Sequence, residues 1–134
     1  LQTLPDDDNL LIVFIDGFDS ILLSYPDEFI QKWNKIKKQF YSNKNSAPLE
    51  VIVSRDYDPS WLNNPIFAYT YVRTFIKCQN MYINAGQFMG TKKGLLRLME
   101  TAKKYRSPKI SSNQLIWALA YQDNPNLFHI DEKM

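Results

Sequence analysis

The sequence predicts an α/β domain with a mostly parallel sheet flanked by helices. Three observations carry this. Short β-branched runs alternate with longer segments of helical period. The first run, Leu10 to Ile15 (LLIVFI), is apolar without a break, as in a strand covered on both faces. The chain has 134 residues, 45% of them apolar, which is enough for one real core.

Leu1 to Asn9 is polar, with the run Asp6-Asp7-Asp8, and reads as a solvated lead-in. LLIVFI ends on Asp16-Gly17. From Pro26 the period changes: Phe29, Ile30, Trp33, Ile36 and Phe40 recur at helical spacing, with Lys32, Lys35 and Lys38 between them. Pro26 suits a first helical turn, and Asp27 and Glu28 suit the positive end of the helix dipole. Leu49 to Val53 is a second strand. Arg55 to Pro65 has the composition of a loop, and Tyr69 to Ile76 alternates like a strand. Met81 to Ile83 and Gln87 to Met89 flank a predicted turn, Asn84-Ala85-Gly86, in which Gly86 supplies an angle other residues avoid. Thr91 is placed to cap a helix carrying Leu95, Leu96, Leu98, Met99 and Ala102, which Gly94 weakens slightly. Ser111 to Tyr121 is a third helix, with Ser111 and Gln114 in capping-box register. Leu127 to Ile130 is a last short strand.

Composition excludes several classes. Sixteen Lys and Arg against fourteen Asp and Glu leave a net charge of +2, too little for a protein that binds nucleic acid through bulk electrostatics. The single cysteine, Cys78, forms no internal bridge, and no Cys/His cluster suggests zinc. No apolar run approaches the ~20 residues of a membrane helix. With Gly only at 17, 86, 90 and 94 there is no phosphate-cradling loop, and no Ser-His-Asp order can be built. His129, the one histidine, sits on a short apolar run and reads as a packing residue.

In a parallel α/β sheet, ligands bind beyond the carboxyl ends of the strands. Asp16 and Asp19 lie there, just after the first strand. Two carboxylates three residues apart across a turn can converge on a hard cation that keeps positions open for phosphate oxygens. The same residues fit a plain Asp-Gly turn with Asp19 capping the next segment. Asp56 and Asp58 come after the second strand, as a further carboxylate, a contact to a sugar hydroxyl, or a polar loop in which Arg55 pairs with Asp58. Asn84 offers an amide to a ligand or only makes the turn. Asn113 and Gln114 open the third helix, where an anion or a cap can sit.

Taken together these segments resemble a known family. They are Phe14-Ile15-Asp16-Gly17-Phe18-Asp19, the Pro26-Asp27-Glu28 helix start, Val51-Ile52-Val53-Ser54-Arg55-Asp56, Tyr82-Ile83-Asn84-Ala85-Gly86-Gln87-Phe88-Met89-Gly90, Asn113-Gln114-Leu115 and Ile130-Asp131-Glu132-Lys133. Their order and spacing resemble the glycosyltransferase domain of the procollagen lysyl hydroxylases and the related procollagen galactosyltransferases. The resemblance covers the chain from Leu10 onward. It implies a partial A-type nucleotide-sugar fold, a C-terminal part of a larger domain, entered at its metal strand. The rest of the parent domain would lie upstream of Leu1.

The resemblance also implies an activity: transfer of a hexose from a UDP-sugar donor to a protein or glycan acceptor, with Mn²⁺ or Mg²⁺. Asp16, Asp19 and Glu132 would hold the metal. Asp16, Asp56, Asn84 and Gly86 would contact the donor, its sugar or the acceptor, and Asn113 and Gln114 would approach the transferred sugar as the catalytic pair. Two departures stand out. The family's Asp-Gln is Asn113-Gln114 here, and an amide is neither base nor nucleophile. The family's metal-binding histidine is Glu132, which still suits a hard cation. These departures suggest a second function: a degenerate module that keeps the fold and serves binding or assembly, for example in a viral particle. A family-like protein would work in the secretory pathway, a viral one in a virion or host cytoplasm.

Overall fold

The computed structural model describes the chain apart from residues 2, 6, 8, 18–20, 43–47, 57–81, 109, 111 and 132–134, and apart from the side chains of Asp56 and Tyr82. The elements are β1 (Leu11–Ile15), α1 (Pro26–Ser42), β2 (Val51–Asp56), β3 (Tyr82–Thr91), α2 (Lys92–Lys103), α3 (Asn113–Asp123), a 3-10 turn (Pro125–Leu127) and β4 (Phe128–Asp131). Among the described residues no helix is long and apolar enough to cross a membrane. The strand-like run Tyr69 to Ile76 lies outside the described residues.

The four strands form one mixed sheet in the order β1-β3-β2-β4. β3 runs antiparallel to both β1 and β2, while β4 pairs parallel with β2. Three strands thus point the same way, as the α/β reading expects, but only one of the pairings is parallel. The carboxyl ends of β1, β2 and β4 lie at one end of the sheet.

Helices cover both faces. Alternation along β2 sends Val51 and Val53 to one face and Ile52 to the other. Val51 and Val53 join Phe88, Leu95, Leu98, Ala120, Tyr121, Phe128 and Ile130 in the larger core, under α2 and α3. Ile52 joins Met89 and Leu49 against Trp33 and Ile36 of α1. The helical spacing of α1 holds for those two residues and for Phe29 and Phe40, which pack partly buried against the same core. Ile30, predicted on the same stripe, is 49% exposed. Lys32 of α1 instead reaches the buried carboxylate of Asp131, with Nζ 2.8 Å from Oδ2. His129 packs edge-on to Phe40, ring centres 6.1 Å apart, as a packing histidine would.

β1 departs from the prediction. The unbroken run LLIVFI predicts burial on both faces, yet Val13, Phe14 and Ile15 are 38%, 47% and 39% exposed. The physical reason is position. β1 lies at the edge of the described sheet with β3 as its one described neighbour, and the buried helix residues pack mainly against β2, β3 and β4. An apolar run reports only that side chains avoid water; it does not place the strand in the sheet.

The lead-in is also less detached than its charge suggests. Lys92 is buried, and its Nζ donates to the carbonyls of Leu4 at 2.8 Å and Pro5 at 3.2 Å. Leu1 packs against the larger core.

Candidate active site

The site is built at the carboxyl end of β1, where β3 departs from regular pairing. Val53 faces Phe88 across the ladder, but Arg55 already faces Ile83. Gln87 still pairs with Ile15 of β1, so the surplus residues of β3, Asn84 to Gly86, bulge out of the sheet. The predicted turn is corrected here. Asn84-Ala85-Gly86 does not reverse the chain; it is a bulge inside one ten-residue strand. Bulges of this kind re-aim side chains next to active sites.

Three contacts fix the bulge. The N–H of Asp16 donates to the Gly86 carbonyl at 2.8 Å, which ties the end of β1 to it. The N–H of Gly86 donates to Asn84 Oδ1 at 2.7 Å, so the asparagine side chain closes its own loop. The N–H of Ala85 donates to Gln114 Oε1 at 3.3 Å, which pins the bulge to the first turn of α3. Gly86 is not in the left-handed region. A Cβ at this position would lie 3.1 Å from Asn84 Oδ1, a tight contact with a side-chain end, and 3.4 Å from Asp16 Cβ and 3.8 Å from Asp16 Oδ2, at ordinary contact distance.

The start of α3 also departs from the prediction. The cap is Ser112, whose Oγ accepts from the Leu115 N–H at 3.3 Å. Ser111 lies outside the described residues. Because the helix begins one residue later, Gln114 falls in its first turn and reaches the bulge rather than completing a capping box. Thr91 caps α2 as predicted, its Oγ1 accepting from the Gly94 N–H at 3.0 Å.

Between β1, the bulge and α3 opens a cavity of about 760 Å³. Asp16, Asn84, Gly86, Asn113 and Gln114 all line it, so five of the predicted site residues, drawn from three parts of the chain, meet at one place. Asp56 ends β2 opposite Tyr82, at the same end of the sheet. Asp19, Asp58 and Glu132 lie outside the described residues, as do Cys78 and Lys133. Among the described residues no group of three or more His, Cys, Asp or Glu side chains gathers.

One wall of the cavity was not foreseen from the motifs. Phe14, Phe88 and Trp117 line it together. Phe14 stacks on Phe88 with ring centres 4.6 Å apart and planes 12° from parallel, and Phe88 meets Trp117 at 4.9 Å. Two signals in the sequence pointed to it. Phe14 is two residues before Asp16 on a strand, hence on the same face. Trp117 is four residues after Asn113 on a helix, hence above it.

The donor set at the bulge is oxygen only: the Asp16 carboxylate and the Asn84 amide oxygen both stand close to where a Gly86 Cβ would be. Oxygen donors of this kind would suit a hard cation such as Mg²⁺ or Mn²⁺ better than a soft metal.

The family model of the PLOD glycosyltransferase (GT) domain matches residues 1–131. No curated protein and no solved structure matches the chain.

Proposed function

The chain belongs to the PLOD glycosyltransferase-domain family, and from that premise we propose that it serves transfer of a hexose from a UDP-sugar to a protein or glycan acceptor, with Mn²⁺ or Mg²⁺. The observation that carries this reading is the convergence of Asp16, Asn84, Gly86, Asn113 and Gln114 on one cavity at the carboxyl end of β1. In the reaction the bond from the sugar C1 to the diphosphate oxygen breaks. A bond from C1 to the acceptor hydroxyl oxygen forms, the hydroxyl proton leaves to a base, and UDP departs.

Asp16 supplies a carboxylate to the metal, with Asp19 and Glu132 as its partners in the chain. When bound, the cation neutralises charge on the departing diphosphate. Asn84 holds the rim of the bulge, and Gly86 leaves room for the donor against Asp16. Asp56, at the end of β2, belongs to the nucleotide side. Asn113 hydrogen-bonds and orients sugar hydroxyls, for which an amide has both donor and acceptor. Gln114 lines the same cavity, where it would approach the transferred sugar, and it has a second part. Its carbonyl oxygen accepts from the Ala85 N–H, so it also positions the bulge. Neither side chain can take the acceptor proton.

Thermal unfolding of the whole chain with Mn²⁺ and UDP, together with an assay of UDP-hexose hydrolysis, tests this. Ligand at 100 times Kd adds about 2.7 kcal/mol to folding stability. Asp16→Asn is expected to remove that gain and the hydrolysis together. A midpoint indifferent to both ligands would leave a binding or assembly module on the same fold.

A further inference from the structure

The aromatic wall of the cavity has no part in the roles assigned above. Phe14 is 47% exposed although its ring stacks on Phe88. One side of the ring is therefore covered by protein while the residue stays open to the cavity it lines. Trp117 lines the same cavity and leans on the same Phe88, with 44° between the planes. Phe88 is itself buried and acts as the backing of both. Leaving the Phe14 ring half exposed, beside a Trp117 ring that is only partly buried, has a cost that folding alone does not repay.

Each ring has a hydrogen-bonding side chain beside it in its own part of the chain. Asp16 stands two residues beyond Phe14, about 7 Å along the same strand face. Asn113 stands one helical turn before Trp117, about 6 Å along the same helix face. The unit of a flat apolar patch with a polar group at its edge thus occurs twice, facing one cavity. A pyranose ring has this pattern in reverse, with C–H bonds on its flat faces and hydroxyls around its rim. A nucleobase would use the rings as well, but its polar atoms lie in its plane and along one edge. Two rims on separate walls serve a ring with hydroxyls all round.

We infer that Phe14 and Trp117 form a hexose-stacking wall, with Asp16 and Asn113 taking the hydroxyls at its edges. The inference deepens the sugar-transfer reading and rests on it only for which substrate brings the hexose.

Saturation-transfer NMR on the whole chain tests the wall without needing turnover. The probes are methyl β-D-galactopyranoside, methyl β-D-glucopyranoside and uridine. Wild-type protein should transfer saturation to ring C–H protons of at least one pyranoside. Trp117→Ala and Phe14→Leu should each weaken that binding about three- to tenfold, the range for loss of one aromatic contact. Trp117→Phe, which keeps a flat face, should restore most of it. Phe14→Leu guards against misfolding, because Phe14 is half exposed and its loss empties no core. Saturation of uridine but of neither pyranoside would overturn the inference, as would pyranoside signals unchanged in both variants. UDP-hexose hydrolysis measured in parallel separates the two claims. Hydrolysis with unchanged pyranoside signals sinks the wall alone, and pyranoside binding lost in the variants without hydrolysis sinks the transferase reading alone.

Discussion

Replacing Gly94 by alanine sets local preference against tertiary packing at one atom. Gly94 is in the first turn of α2, and glycine in a helix costs up to about 1 kcal/mol relative to alanine. By propensity alone, Gly94→Ala stabilises. In the folded chain a Cβ at this position would lie 2.5 Å from Glu50 Cβ, 2.6 Å from the Glu50 carbonyl oxygen and 3.0 Å from the Glu50 carbonyl carbon. Two of these atoms are backbone just before β2, so no rotamer change removes the clash. The same carbonyl accepts the Thr91 N–H at 3.0 Å. Moving α2 away would therefore disturb the junction of β2, β3 and the helix cap. Overpacking of this kind costs about 1–3 kcal/mol. Against a gain below about 1 kcal/mol, the net is destabilisation by about 1–2 kcal/mol. For a chain of this length that lowers the melting midpoint by roughly 3–8 °C. Differential scanning calorimetry on wild type and Gly94→Ala reads it directly. A midpoint equal to or above wild type would refute the reasoning, since helix propensity would then have outweighed the contact with Glu50.

Three further outcomes are expected. Gln114→Leu removes the acceptor for the Ala85 N–H and should lower stability by about 0.5–1.5 kcal/mol, while kcat/KM for sugar transfer falls further than that loss explains. Gln114→Glu, which keeps an acceptor oxygen, should recover most of it; equal loss in both variants would mean the amide itself touches substrate. Gly86→Ala should leave the melting midpoint within about 3 °C, because the neighbours of its Cβ are side chains, yet weaken the Mn²⁺-dependent shift in that midpoint; an unchanged shift would place the metal elsewhere. Lys32→Met removes the cation beside the buried Asp131 carboxylate. The lysine itself is partly exposed, so after discounting for solvent the loss should be about 1–2 kcal/mol in urea unfolding, and no change in the urea midpoint would show that water replaces the lysine.

Where the chain could be read locally, the sequence was sufficient. Thr91 as a cap, Trp33 and Ile36 as the inward stripe of α1, and Phe128 to Ile130 as a strand depend on neighbours within a turn or two. Asp16, Asn84, Gly86, Asn113 and Gln114, which line one cavity, were legible as candidate site residues because of their places beside predicted element ends. The burial of β1 was not legible, because edge and central strands differ in their partners and not in their own residues. Asn84-Ala85-Gly86 read as a hairpin turn for the same reason. An Asn-x-Gly segment closes its own hydrogen bond from Gly86 N–H to Asn84 Oδ1 in a turn or in a bulge, and only the pairing of β3 with both β1 and β2 decides which.

By itself the sequence determined the alternation of strands and helices, a near-neutral charge balance and the set of polar residues at the element ends. These depend on short-range patterning and on which side chains avoid water. Only the tertiary structure decided that β3 runs between β1 and β2, that its surplus residues swing toward α3, and that Gln114 is held by a backbone amide 29 residues earlier. It also decided that Phe14 and Trp117, 103 positions apart in the sequence, share Phe88 as a backing and one cavity as an outlook. Such contacts depend on register and packing between distant segments, and a register shift of one residue would have turned the strand side chains among them to the other face of the sheet.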